Sequence, residues 1–257
     1  MAVAQFTREY TTVRRAEGWG SADRAYYQAL PFADLSGRFA GIWRIRAKSY
    51  ATFVSHVLEP LERLRTLRIL DLGAGNGWLS NRLALRGHSV VPIDLLDDPL
   101  DGLGAARHYA IPLTPLLAEF DHLPLADQRV DLAVFNASLH YSTDYARTLA
   151  EALRVLQPRG TLVILDTPMY TEPTSGARMV QERQSRFLAT YGFASDALPS
   201  EHFLTPARLH ELAAQLKLSW QLYQPVLDWR SELGRTVGGI RARREPARFP
   251  VIVGTRR

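Results

Sequence analysis

Asp71, Gly73, Gly75 and Gly77 alternate at the end of a short apolar run, Leu67-Arg68-Ile69-Leu70-Asp71-Leu72. Such a run suits a buried parallel strand. The residues after Gly77 read as an amphipathic helix, with Trp78, Leu79 and Leu83 on one side and Gly87 as its stop. Strand, glycine turn and helix N-terminus in that order build a nucleotide site. Glycine tolerates positive φ and lets a ligand lie against bare backbone, while the helix end offers unpaired N–H groups. The spacing is D-x-G-x-G-x-G, not the G-x-G-x-x-G that seats a pyrophosphate on a helix end. The Asp71 carboxylate suits a ligand bearing an ammonium group in place of a diphosphate. Asp94 follows about twenty residues beyond the turn, where an acid at a strand end can accept both hydroxyls of a ribose. His140 adds an imidazole, a group that titrates near neutral pH and can serve as a base.

Other elements must bring these residues together. Ser89 to Leu95 is a second strand, and Leu113 to Pro124 a third strand with its exit, its first residues placed at an edge by Pro115. The acidic turn from Asp97 to Asp101 reads as a solvated loop and helix start. Val130 to Tyr141 is a fourth strand; Asp144 caps a helix carrying Leu149, Leu153 and Leu156, and Thr161 to Asp166 is a fifth strand. Strand–helix steps in this order imply a doubly wound, mostly parallel sheet. The stretch 167–205 is too long for a turn and holds a helix from about Gly176 to Tyr191; such insertions at a ligand edge shape pockets. Thr205 and Pro206 open another helix, and Trp220 to Val226 and Phe249 to Val253 are the last two strands. Before the first strand, residues 1–66 are helical pieces broken by Gly18, Gly20, Pro31, Gly37 and Gly41 and dense in aromatics, among them Phe6, Tyr10, Trp19 and Tyr50. A longer helix from about Gly41 ends at Pro60 and turns Tyr50, Phe53, Val54, Val57, Leu58 and Leu61 toward the sheet, with Trp43, Arg46 and Tyr50 sharing a face.

These motifs, in this order, resemble the class I S-adenosylmethionine-dependent methyltransferases, most closely the ubiquinone/menaquinone-type and small-molecule methyltransferases. The resemblance covers 67–170 by motif and 205–257 by element order. It implies a Rossmann-like α/β fold with a seven-stranded sheet, an N-terminal helical lid at 1–66, and a core at 67–257 with a cap insertion at 167–205. It implies S-adenosylmethionine as cofactor, S-adenosylhomocysteine as product, and methyl transfer to a small molecule. The turn Asp71-Leu72-Gly73-Ala74-Gly75-Asn76-Gly77-Trp78 is matched to the motif that holds the methionine part, with Arg46 of the lid meeting its carboxylate. Asp94 falls to the ribose and Leu95 to the adenine face. Glu119 and Phe120, read backwards from Leu123-Pro124, fall to the adenine amino group and ring nitrogen, with Asp121 as rival acid. Asn136, Ala137 and Ser138 would line the methionine arm, and His140 would point towards the methyl group as candidate base, with Tyr141, Asp166 and His202 as weaker ones. The D/N-P-P-Y/F motif of amide and adenine methylation is absent, Arg159 departs from the usual L-K-P-G-G, and the basic connection 228–248 is longer than the family's.

Composition narrows the classes. The chain has 257 residues and no cysteine, which removes disulfides, thiolate metal sites, cysteine-nucleophile cytosine methylation and cysteine-bound radical clusters. No metal site is expected. Mean hydropathy is −0.14 and no apolar run approaches a membrane span, and the first residues lack the order of a signal peptide, so a cytoplasmic protein is expected. The net charge is +5, with arginines gathered at Arg230, Arg235, Arg241, Arg243, Arg244, Arg248, Arg256 and Arg257. No nucleic-acid motif accompanies them, which favours a solvated loop. Three alternatives stand beside the main reading: an RNA methyltransferase, a nicotinamide oxidoreductase, and a protein that binds the cofactor but transfers nothing.

Overall fold

The structure, a computed structural model, describes residues 2–226 and 244–257. Seven strands form one sheet in the order β3-β2-β1-β4-β5-β7-β6. Strands β1 (Arg68–Leu72), β2 (Ser89–Asp94), β3 (Leu116–Leu117), β4 (Val130–Asn136) and β5 (Leu156–Leu165) run parallel, while β7 (Val251–Arg256) pairs antiparallel with both β5 and β6 (Leu218–Tyr223). The expected doubly wound, mostly parallel seven-stranded sheet is what forms.

Alternation within single strands divides the core. In β4, Leu132 and Val134 face a layer built from α2 (Arg24–Ala29), α3 (Ala40–Phe53) and α5 (Trp78–Leu85), where Tyr27, Trp43, Phe53 and Leu79 are buried. Ala133 and Phe135 face the opposite layer, with Tyr145 and Leu149 of α6 (Tyr145–Val155) and Leu209 and Leu212 of α8 (Pro206–Leu216). Successive side chains on a strand point to opposite faces, so an unbroken apolar run needs helices on both sides. The caps hold as read: Asp144 accepts from the Arg147 N–H at 3.1 Å and Thr205 from that of Arg208 at 3.1 Å.

Several boundaries differ from the expectations. The helix begun at Ala40 does not end at Pro60. It passes through a π turn, Val54–Leu58, into α4 (Glu59–Glu62). The wider turn falls just before the proline, which has no N–H to give and whose ring would crowd the preceding turn. Leu156 leaves α6 and begins β5, and Pro158, which biases Gln157 to extended backbone and has no N–H to continue a helix, keeps the chain extended beyond it. The third strand shrinks to Leu116–Leu117, consistent with Pro115 and with its edge position. The inserted helix α7 (Pro173–Tyr191) starts three residues earlier than read, with Pro173 in its first turn. The last strands are Leu218–Tyr223 and Val251–Arg256. Most of the basic connection 228–248, with Arg230, Arg235, Arg241 and Arg243, lies outside the described residues. No helix among the described residues is long and apolar enough to cross a membrane.

Leu132 is fully buried on the central strand. Leu132→Ala is expected to destabilise the fold by about 2–5 kcal/mol. Urea unfolding checks this: the midpoint should fall with the slope unchanged.

Candidate functional site

The site forms where strand order reverses, between β1 and β4, at the carboxyl edge of the sheet. The chain leaving β1 is held by two N–H groups, those of Gly73 and Ala74, which donate to the Ile93 carbonyl at 2.8 and 2.9 Å. Gly73 has φ +73°, and a Cβ there would come within 2.3 Å of the Ser138 Cβ. Glycine is required at that crossing. Gly75, at φ +54°, has nothing within 4 Å of where a Cβ would stand, so its bare face opens onto space. Its N–H donates to Asp94 Oδ2 at 2.8 Å, and the Leu96 N–H donates to Oδ1 at 2.9 Å. Each oxygen keeps lone-pair capacity for a further donor. Burial raises the Asp94 pKa while these N–H groups lower it.

A cavity of about 180 Å³ opens over this edge. Of the residues named from the sequence, Gly73, Gly75, Asp94, Leu95, Glu119, Phe120, Ala137 and Ser138 line it. Glu119 is exposed and its carboxylate makes no hydrogen bond among the described residues. Asp121 also lines the cavity, but its carboxylate is engaged by the Thr148 hydroxyl and lies 4.0 Å from Arg147. That difference separates the two rival acids. Ala137 stands at φ +54°, a left-handed conformation for a residue with a Cβ, fixed by its N–H donating to the Leu165 carbonyl at 2.9 Å. Such strain persists only where the surroundings hold it, and it clusters at functional sites.

The remaining named residues do other work. The Asp71 carboxylate is sealed under α5, where it accepts from Ser80 Oγ at 2.7 Å; it does not face the cavity. Asn76 caps the Trp78 N–H at 3.2 Å, and Gly77, at φ +75°, turns the chain into α5. Ala74 is buried beneath the turn. Trp78 is 3% exposed and packs edge-on to Trp43 and Tyr50, so it is a core residue. Asn136 is buried at the end of β4, off the cavity wall. Arg46 also stands off that wall: its guanidinium lies 4.7 Å from the Trp43 ring centroid, with Asp166 the carboxylate that favours its charge.

His140 lies in the turn after β4, its ring 4.4 Å from that of Tyr141, and does not line the cavity. Burial, then Arg183, His202 and Arg46, push its pKa down to about 3. The imidazole is therefore neutral at neutral pH but only weakly basic.

Which part of residues 1–66 covers the cavity was not legible in the sequence. Helix α1 (Ala2–Glu17) lays Val3, Phe6 and Tyr10 over the glycine turn. It is fastened by Arg14, paired bidentately with Asp101, and by Arg15, bonded to Asp98 at 2.8 Å. The acidic turn expected to be solvated is thus the latch for α1, and Asp101 is only 8% exposed. The complementary pairs Arg14-Arg15 and Asp98-Asp101 were visible, but over eighty residues apart. Tyr141 joins Phe6 and Tyr10 at ring distances of 5.6 and 5.7 Å.

Two buried groups give opposite pH signatures. Burial raises the Asp71 pKa from 3.8 to about 7, so its stability contribution is full below about pH 4 and is lost as pH rises to 7. His140, lowered from 6.5 to about 3, contributes stability above pH 6.5 that is lost as pH falls towards 3. Relative to Asp71→Asn, wild type should lose stability on going from pH 4 to 7, by on the order of 1 kcal/mol per unit. Relative to His140→Gln, it should gain over the same range. Urea unfolding of the three proteins across that range reads both slopes.

Comparison with known proteins agrees with this geometry. Residues 70–164 match the family described as "Methyltransferase domain". An uncharacterized methyltransferase of Mycobacterium tuberculosis is 43% identical over 95 residues, 37% of each chain. A malonyl-[acyl-carrier protein] O-methyltransferase of Yersinia pestis is 29% identical over 174 residues, 68% of this chain and 60% of its own. The match thus spans little more than a third to three fifths of these relatives' length. Among solved structures, a Burkholderia thailandensis 1,6-didemethyltoxoflavin-N1-methyltransferase with bound 1,6-didemethyltoxoflavin and S-adenosylhomocysteine superposes with TM-score 0.54 at 18% identity, covering 97% of this chain and 90% of that one. A putative methyltransferase in complex with the Haloferax volcanii Trm112 activator gives 0.58 at 17% identity, covering 90% and 96%. Residues 70–164 are similar to a methyltransferase domain, and the chain has the fold of the class I S-adenosylmethionine-dependent methyltransferases.

Proposed function

We propose that the protein transfers a methyl group from S-adenosylmethionine to a small-molecule acceptor, leaving S-adenosylhomocysteine. The observation that carries this reading is the wall of one cavity. It combines the bare backbone of Gly75, the Asp94 carboxylate with lone pairs to spare, and the unengaged Glu119 carboxylate. An open glycine face and two acids at a sheet's switch point fit a nucleoside that also carries an amino-acid arm. In this reading Asp94 holds the ribose hydroxyls, Leu95 and Phe120 flank the base, Glu119 takes its amino group, and Gly73, Ala137 and Ser138 border the methionine arm. The cofactor supplies an electrophilic sulfonium methyl.

The chain's own contribution is positioning and exclusion of water. Phe6, Tyr10 and Tyr141 close the cavity from above, and holding an acceptor in line within a dry site supplies several kcal/mol of barrier lowering without a side-chain nucleophile. A base serves best with a pKa near the working pH. His140 falls well below that, so we assign it the accepting of a hydrogen bond, not the holding of a proton. Residues 1–66 act as the lid and 67–257 as the core with its insertion at 167–205. Within the class, we assign the chain to the small-molecule enzymes of the ubiquinone/menaquinone type, a reading that the Asn136-to-His140 motif supports.

Calorimetric titration with S-adenosylmethionine and S-adenosylhomocysteine tests this. Wild type should bind both in the micromolar range, and Asp94→Ala should weaken binding at least about tenfold, a loss of about 1.4 kcal/mol. Absence of binding by folded wild type would refute the assignment. Gly75→Ala, which places a methyl group in the cavity at a left-handed φ, should lower affinity and also cost about 1 kcal/mol of stability through backbone strain alone. Gly73→Ala, which collides with Ser138, should lower the midpoint itself.

A further inference from the structure

A second cavity, of about 110 Å³, lies beside the first and shares Phe6, Tyr10, Tyr141 and Leu198 with it. The insertion builds its far side. α7 supplies Arg183 and Phe187, and the loop returning from α7 supplies Ser200 and His202. That loop is tied to the turn after β4 by three bonds: Ser200 Oγ to the Tyr141 carbonyl at 2.8 Å, and the N–H groups of Glu201 and His202 to the carbonyls of Ser142 and His140 at 2.9 and 3.2 Å. The second cavity is therefore held in fixed register with the wall of the first.

Its charge is unusual. Arg183 Nη2 donates to His202 Nδ1 at 3.2 Å, while its Nε is buried and makes no hydrogen bond within the described chain. No carboxylate among the described residues lies within ion-pair distance of it. The other charged groups on this wall are engaged elsewhere: Arg14 with Asp101, and exposed Glu17 with the Trp19 indole at 2.8 Å. A guanidinium set among Phe6, Phe187 and Leu198 without a counter-charge carries a desolvation cost that an anion would offset. Its fork-shaped donors match a carboxylate in two parallel bonds.

We propose that this second cavity is the acceptor site, and that Arg183 selects acceptors that carry a carboxylate on an apolar or aromatic body. The inference rests on the methyl-transfer reading for the acceptor's role, but the anion site itself does not depend on it. The carboxylate would sit at the α7 side, the body against Phe187 and Leu198, and the group to be methylated would face the Tyr10–Tyr141 boundary with the first cavity.

Titration of the protein saturated with S-adenosylhomocysteine, using phenylacetate and its neutral isostere phenylacetamide, tests it. Phenylacetate should bind at least about tenfold tighter than the amide, a difference of about 1.4 kcal/mol. Arg183→Gln should erase that preference and Arg183→Lys should restore part of it, with S-adenosylhomocysteine affinity unchanged in both, which shows that they fold. Equal binding of acid and amide, no binding of the acid at millimolar concentration, or a preference that survives Arg183→Gln would overturn the proposal. If S-adenosylhomocysteine fails to bind, the methyl-transfer reading falls. The same two probes on the free protein then still decide the anion site.

Discussion

The crossing of Gly73 over Ser138 governs the site. The two chains leaving β1 and β4 pass so closely that no side chain fits between them, and the Ser138 hydroxyl donates to the Leu72 carbonyl across the gap. This locks the exits of two adjacent parallel strands together at the switch point. Every later feature is measured from that lock. Gly75 is lifted clear so that its face is open, its N–H reaches Asp94 on β2, and Ala137 is forced into a left-handed conformation. Backbone strain at Ala137 is tolerable because the Leu165 carbonyl fixes its N–H from the other side.

What surrounds the lock comes from distant sequence. α1 is latched by arginine–aspartate pairs, one of them largely buried, and places three side chains over the cavity. The partly buried Arg14–Asp101 pair contributes more to fixing where the helix lies than to overall stability, since desolvation offsets most of the attraction. The pair is also bidentate, and a bidentate geometry specifies orientation as a single contact would not. The return loop of the insertion achieves the same end with backbone bonds to residues 140–142.

The legible part of this chain was its local grammar. Strand, glycine turn and helix obey rules that operate within a dozen residues, and so the turn at 73–77, the Asp94 strand end and the caps at Asp144 and Thr205 could be read directly. Failures arose where the deciding contact was long-range or where chemistry was inferred from residue type alone. Asp71 and Trp78 sit inside the motif, but the fold turns them inward, under α5 and against Trp43. A motif gives the path of the backbone more reliably than the direction of its side chains. Arg46 was placed by the helical face it shares with Trp43, and it does lie over that ring; nothing in the sequence indicated that aromatic and carboxylate neighbours would hold it off the cavity wall. The aspartates at 98 and 101 looked solvated because their arginine partners are more than eighty residues away.

The position of His140 shows how the fold constrains the chemistry. An imidazole becomes a useful base when a carboxylate or solvent supports its charged form. Here the neighbours that act on it are Arg183, His202 and Arg46, and all of them oppose protonation. Burial disarms the histidine first, and the cation at Arg183 without a counter-charge adds to it. His140 therefore serves the site by position and hydrogen bonding, and the anion preference argued for Arg183 acts on which acceptor is held, not on how its proton leaves.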